Sequence, residues 1–221
     1  MPNIHATTPP RLPRLPDDDA VYTDARIAVI RPEEDLDGVR VADQRVDAVD
    51  LTATAMLDCA FERLAVGELV ATRAHVRHTV ARDCRTASCD VHAAGIEASL
   101  VEDCAFGAVQ AHATRIVGVE IRGCRIDYLN CRSAVCRDLV FRDCAIGEFD
   151  GNDARLSRIA FVDTRVDILS LQHAACADVD LRGAQLREIR GVDSLAGTTM
   201  TLEQIAGLAA VFARSIGIRT S

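Results

Sequence analysis

The chain has 221 residues, 49% of them hydrophobic, yet only six Phe, two Tyr and no Trp, so its core must be built from Ala, Val, Ile, Leu and Cys. Its 25 basic residues are all arginine and face 33 acidic ones, a net charge of -8 that excludes a protein coating nucleic acid through a positive footprint. No run approaches 18 uninterrupted apolar residues and the amino terminus has no apolar signal core, which predicts a cytoplasmic protein with no membrane contact.

Residues 1–20 place Pro9, Pro10, Pro13 and Pro16 ahead of Asp17, Asp18 and Asp19, the composition of a flexible tail. Residues 21–35, with Ile27, Val29 and Ile30, are expected to lay a first strand or cap on the element that follows.

From residue 36 to residue 191 the chain keeps a period of five. Stepping by five from Leu36 to Gly191 gives 32 positions, of which all but Thr86, Gly151 and Gly191 are apolar. The column two residues earlier, Val39 to Ile189, is apolar at 25 of 31 positions; the polar ones are Gln44, Thr54, Thr79, Ser99, Thr114 and Thr164. A period of five with two inward positions drifts out of phase with both a 3.6-residue helix and a two-residue strand. It fits a coil that turns a corner every five residues. Four units make a longer repeat: Arg82-Asp83-Cys84, Glu102-Asp103-Cys104, Arg122-Gly123-Cys124 and Arg142-Asp143-Cys144 recur every 20 residues. Ala74, Ala94, Thr114, Ala134, Ala154 and Ala174 form a ladder that stays small, and Leu69, Cys89, Val109, Leu129, Phe149, Leu169 and Ile189 one that is mostly large.

Units such as Cys59-Ala60-Phe61-Glu62-Arg63, Cys104-Ala105-Phe106-Gly107-Ala108 and Ala184-Gln185-Leu186-Arg187-Glu188 resemble those of the pentapeptide-repeat family. The resemblance implies an all-β fold, a right-handed quadrilateral β-helix of about eight coils, over 36–191. The chain departs from the family in having few Asn or Asp before the central residue, where Ala, Arg and Val are common.

All nine cysteines fall in the inward columns: Cys59, Cys84, Cys89, Cys104, Cys124 and Cys144 in one, Cys131, Cys136 and Cys176 in the other. There they act as small buried hydrophobes. Successive rungs lie about 4.8 Å apart, but parallel in-register side chains lack the twist a disulfide needs, and a straight stack of thiols cannot surround a tetrahedral zinc. No metal, cofactor or catalytic residue is expected. His92 and His112 are successive outward rungs with Arg132 next in line, and no nucleotide-binding or hydrolase motif occurs.

Residues 192–221 are expected to form a carboxy-terminal capping and dimerisation helix. Thr201 and Gln204 make a capping box, Met200 and Ile205 a staple, and Gly217 a stop. Leu202, Ile205, Ala209, Phe212 and Ile216 share one stripe, and Leu208 and Val211 widen it to a second side. One side can plug the coil; the other either widens that cap in a monomer or, the favoured reading, forms the seam of a homodimer. The arrangement resembles the helix through which mycobacterial pentapeptide-repeat gyrase inhibitors dimerise.

A filled coil offers no catalytic pocket, so a non-enzymatic protein with its function on the outer columns is expected. One candidate surface is the apolar stripe Val80, Leu100 and Val140, interrupted by Glu120 and open to cover by the amino-terminal segment. The other is the corner ladder Asp83, Asp103, Asp143 and Asp163, either neutralised by Arg82, Arg122, Arg142 and Arg182 or acting as a mimic of a phosphate backbone. The resemblance implies a protein partner, with DNA gyrase or topoisomerase IV the specific candidate and quinolone resistance a possible outcome, without direct nucleic-acid binding. The alternative is a scaffold module with an unrelated partner.

Overall fold

A computed structural model describes residues 7–13, 21–215 and 217–219. The five-residue phase becomes a parallel β-solenoid of about nine turns. Each residue of the coil pairs with the residue 20 positions on: Val46 with Val66, Val66 with Thr86, Thr86 with Phe106 and Phe106 with Ile126, without a slip as far as Leu186. At one strand spacing per turn the rod is about 43 Å long.

Two sheets form its walls. One has eight strands, from Arg45–Asp50 to Ala184–Arg190, each long enough to run along two sides of the square. The other has 14 strands and holds the opposite sides. Its early strands are short, as in Ala55–Leu57 and Ala60–Glu62, and its later ones are continuous, as in Arg115–Arg122 and Val135–Arg142.

The four corners differ in backbone conformation. Three corners turn through a residue in the left-handed region: Asp83, Asp103, Asp143 and Asp163 on one (φ 47–53°), Ala53, Ala93, Ala113 and Asp153 on the next (φ 55–59°), Asp58, His78, Asp138 and Asp178 on the third (φ 50–56°). The fourth corner stays extended within the strands of the eight-stranded sheet. A left-handed conformation costs an L-residue roughly 1–2 kcal/mol, least for Asp and Asn, whose short polar side chains bond locally. The acidic ladder is therefore first a conformational requirement of the corner.

Inside, both columns point inward. Phe141 stacks on Phe161 with ring centroids 5.0 Å apart, and Phe149 meets both edge-on at 5.9 and 6.0 Å. The nine thiols are free, and eight of them are buried. They do more than fill space: the S–H groups of Cys84, Cys104, Cys124 and Cys144 donate to the carbonyls two residues earlier at 3.1–3.2 Å. The N–H groups of Cys84 and Cys104 in turn donate to the sulfurs of Cys104 and Cys124 at 3.3 Å. Thr164 continues this ladder by accepting from the Cys144 N–H, and Ser99 serves Thr79 in the same way on another corner. Cysteine, threonine and serine interchange here because each is small and carries one donor.

Both ends are closed. Ile27, on the 3-10 turn Ile27–Val29, plugs the first turn. The polar exception Gln44 serves it, accepting from the Ile27 N–H at 2.9 Å and donating to the Ala25 carbonyl at 2.9 Å. At the other end Thr201 and Gln204 form the expected capping box. The Gln204 amide also reaches the Leu181 and Ala184 carbonyls at 2.7 and 2.8 Å, tying the helix to the last turn. The expected single helix is two, Leu202–Gly207 and Ala209–Ser215, because the chain bends at Leu208 (φ -101°, ψ 7°) to drive that side chain into the rod end. Gly217 ends the second at φ 81°.

Within the 1–20 segment expected to form a flexible tail, residues 7–13 lie lengthwise along the rod. The Thr8 N–H donates to Asp178 at 3.1 Å and the Arg11 N–H to Asp138 at 2.8 Å, while Thr7 and Thr199 join hydroxyls. Pro13 sits over Gly118, where a Cβ would come within 2.9 Å of its ring. The segment thus descends one corner ladder, from the last turn toward the middle. The rest of the expected tail lies outside the described residues.

Candidate partner-binding surface

Asp83, Asp103, Asp143 and Asp163 are all exposed on one corner, in register through 20-residue steps interrupted by Gly123. From Asp83 to Asp163 is four rungs, about 19 Å. The expected arginine neutralisation goes elsewhere. Arg82 and Arg122 grip the two oxygens of Glu102 at 3.0 and 2.6 Å, Arg142 binds Glu120 at 3.1 Å, and Arg182 binds Asp180 at 2.6 Å. The reason is geometric: outward arginines in the strands reach carboxylates on their own wall, whereas the corner residue points away from the square. Among the described residues these four aspartates have no ion pair, leaving a line of uncompensated negative charge. Asp43, earlier on the same corner, is instead held through both oxygens by Arg63 Nε and Nη2 at 2.6 and 2.8 Å, which keeps its carboxyl below the usual range.

The apolar stripe is not available to a partner. Val80, Leu100 and Val140 are 3%, 4% and 5% exposed, so these three residues are withdrawn from the candidate surface. Residues 7–13 lie on the corner beside this wall, at Asp178, Asp138 and Gly118. Their anchor, Asp138, is itself buried, binds Arg158 through both oxygens at 2.6 and 2.7 Å, and is held below the usual carboxyl range by that guanidinium and by the Arg11 N–H.

At the carboxy-terminal end Leu208 is buried, and Val211 and Phe212 pack half-buried against the core. Leu202 is 86% exposed and Ile205 43%, and Ala209 is exposed beside them; Ile216 lies outside the described residues. The candidate dimer residues therefore divide into three that plug the rod and three that remain outward.

The His92 and His112 rings stack at 4.8 Å, with His92 Nδ1 3.0 Å from Asp90. Among the described residues no group of three His, Cys, Asp or Glu side chains could hold a metal ion, and no helix is long and apolar enough to cross a membrane. Burial pushes the Cys89 thiol up to about 12 and the Cys176 thiol up to about 11, away from nucleophilic chemistry.

No family model and no curated protein matches the sequence. Among solved structures, the chain is similar to full-length QnrB1, a plasmid-mediated fluoroquinolone resistance protein, at 13% identity over 88% of this chain and 95% of that one, with a TM-score of 0.43. It is also similar to HetL, a pentapeptide repeat protein involved in heterocyst differentiation regulation from the cyanobacterium Nostoc sp. strain PCC 7120, at 13% identity over 76% of this chain and 90% of that one, with a TM-score of 0.26.

Proposed function

We propose that this pentapeptide-repeat solenoid is a non-catalytic binding rod whose acidic corner enters a basic, DNA-holding groove on a protein partner, with DNA gyrase the specific candidate. The observation that carries the reading is the unpaired ladder of Asp83, Asp103, Asp143 and Asp163 on a straight edge. A lysine- and arginine-lined groove that neutralises phosphates would meet about one charge per 5 Å where the ladder is occupied, against one per roughly 1.7 Å along duplex DNA. Such mimicry is sparse, and it acts on encounter rate and orientation more than on contact energy.

Rod length supports the same reading. Two rods of about 43 Å joined end to end span about 86 Å, or roughly 25 base pairs at about 3.4 Å per step. The outward Leu202, Ile205 and Ala209 are the proposed seam of that homodimer. The choice of gyrase rests on the resemblance of the repeat and its terminal helix to the mycobacterial-type inhibitors.

The test is a supercoiling assay with purified gyrase, with and without a quinolone. Inhibition, or relief of quinolone-trapped cleavage, at micromolar protein is expected. A D83N/D103N/D143N/D163N variant should need about tenfold more protein, the equivalent of about 1.4 kcal/mol. Neither effect at micromolar protein would overturn the gyrase assignment and leave a scaffold with an unrelated partner.

A further inference from the structure

We propose that the lumen of the amino-terminal half of the rod is a dry binding site for a narrow apolar guest, an unbranched alkyl chain. The central residues decide how full the square is. In the turn holding Ala71, Val76, Ala81 and Thr86 all four are small, whereas the turn holding Gly151, Leu156, Phe161 and Val166 brings one aromatic ring and two branched side chains. The same contrast runs down one wall: the in-register ladder reads Phe61, Ala81, Val101, Ile121, Phe141, Phe161. Between Phe61 and Phe141 this wall carries no aromatic ring, Phe106 standing on another wall.

The resulting cavity has a volume of about 240 Å³, bounded by Ile27 and Leu51 toward the amino end and by Leu139 and Phe141 toward the other. Val76, Ile96 and Val101 point inward and still keep uncovered surface, while Phe141, Phe161, Val166 and Leu171 keep almost none. An apolar cavity of about 150 Å³ already stays dry and takes benzene or xenon. Water needs two to four polar partners, and the wall hydroxyls of Thr79 and Ser99 already donate to the Arg77 and Glu97 carbonyls at 3.1 and 2.8 Å. Apart from the single hydroxyl of Thr86, the wall offers a guest only dispersion and hydrophobic contact. Because the space runs along the axis through several rungs instead of bulging at one, it fits a chain better than a ring.

Methyl NMR of the full chain, titrated with xenon and separately with n-hexane, tests this. Both should move the Val76, Val101 and Ile121 methyl resonances and leave those of Val166 and Leu171 in place. Ala81→Phe, which completes the phenylalanine ladder, should abolish the response; Ala81→Leu, a smaller change, should reduce it at least about fivefold. Silence of the lumen methyls toward both guests, equal shifts at Val166, or a response unchanged in either variant would overturn the proposal.

Discussion

The Arg11 N–H donates to the Asp138 carboxylate at 2.8 Å, a contact between the amino-terminal segment and a corner 127 residues away. Asp138 also carries both bonds from Arg158, so one buried carboxylate pins the segment and locks a corner. Asp138→Ala removes the partner of the part-buried Arg11 N–H and of the Arg158 guanidinium and should cost about 1–2 kcal/mol. Trypsin should then cut after Arg11 faster than in wild type. The pH dependence follows from the same contact. Arg158 lowers the folded-state pKa of Asp138, so its stabilisation is complete above the unfolded value of about 3.9 and is lost as pH falls through the lower folded value. Thermal melts between pH 6 and pH 2 should show that loss, and Asp138→Asn should remove this part of it.

Corner strain gives a prediction of the opposite sign. Ala93 and Ala113 both sit at φ 55°, a conformation glycine adopts freely. Ala93→Gly and Ala113→Gly should each stabilise the fold by about 0.5–1 kcal/mol in urea unfolding, the relief of left-handed strain outweighing glycine's entropy. Gly67→Ala should do the reverse, because its Cβ would lie 2.4 Å from the Asp47 carbonyl oxygen of the previous rung.

The thiol ladder predicts a reactivity order. Nine thiols should titrate in denaturant, with no disulfide withheld. In the native protein Cys176, the one that is only half-buried, should react first, and the buried eight should follow at the rate of unfolding or local opening.

The split cap predicts that stability and association separate. Gln204→Ala removes bonds to Leu181, Ala184 and Thr201 and should destabilise the rod by about 2 kcal/mol. Ile205→Glu, on the outward side, should leave the melting temperature nearly unchanged while the proposed homodimer sediments as a monomer. A variant that keeps the dimer would move the seam elsewhere.

These elements differ in how far the sequence discloses them. The two inward columns are legible because each residue's burial depends on its own position in a five-residue unit, and neither a helix nor a flat strand holds a five-residue phase from Leu36 to Gly191. The left-handed corners are legible in part: aspartate recurs there, but alanine and arginine also occupy them, since a solenoid held by its rungs tolerates the strain. The fate of Arg82, Arg122 and Arg142 is not legible, because adjacency to an aspartate in sequence does not place their guanidiniums on the same wall. Nor is the path of residues 7–13, whose bonds to Asp138 and Asp178 span 127 and 170 residues and follow no local pattern. The open lumen is written in four small central residues, Ala71, Val76, Ala81 and Thr86, but it emerges only when their turns are stacked.

The proposed entry of the unpaired acidic edge into a DNA-holding protein is tested by the affinity of full-length protein for purified gyrase, wild type beside D83N/D103N/D143N/D163N, at low and high salt. An accepted edge predicts micromolar or tighter binding that weakens with salt and a loss of about tenfold in the variant, most of it at low salt. Equal affinity of the two proteins, or no binding by wild type at low salt, would contradict it.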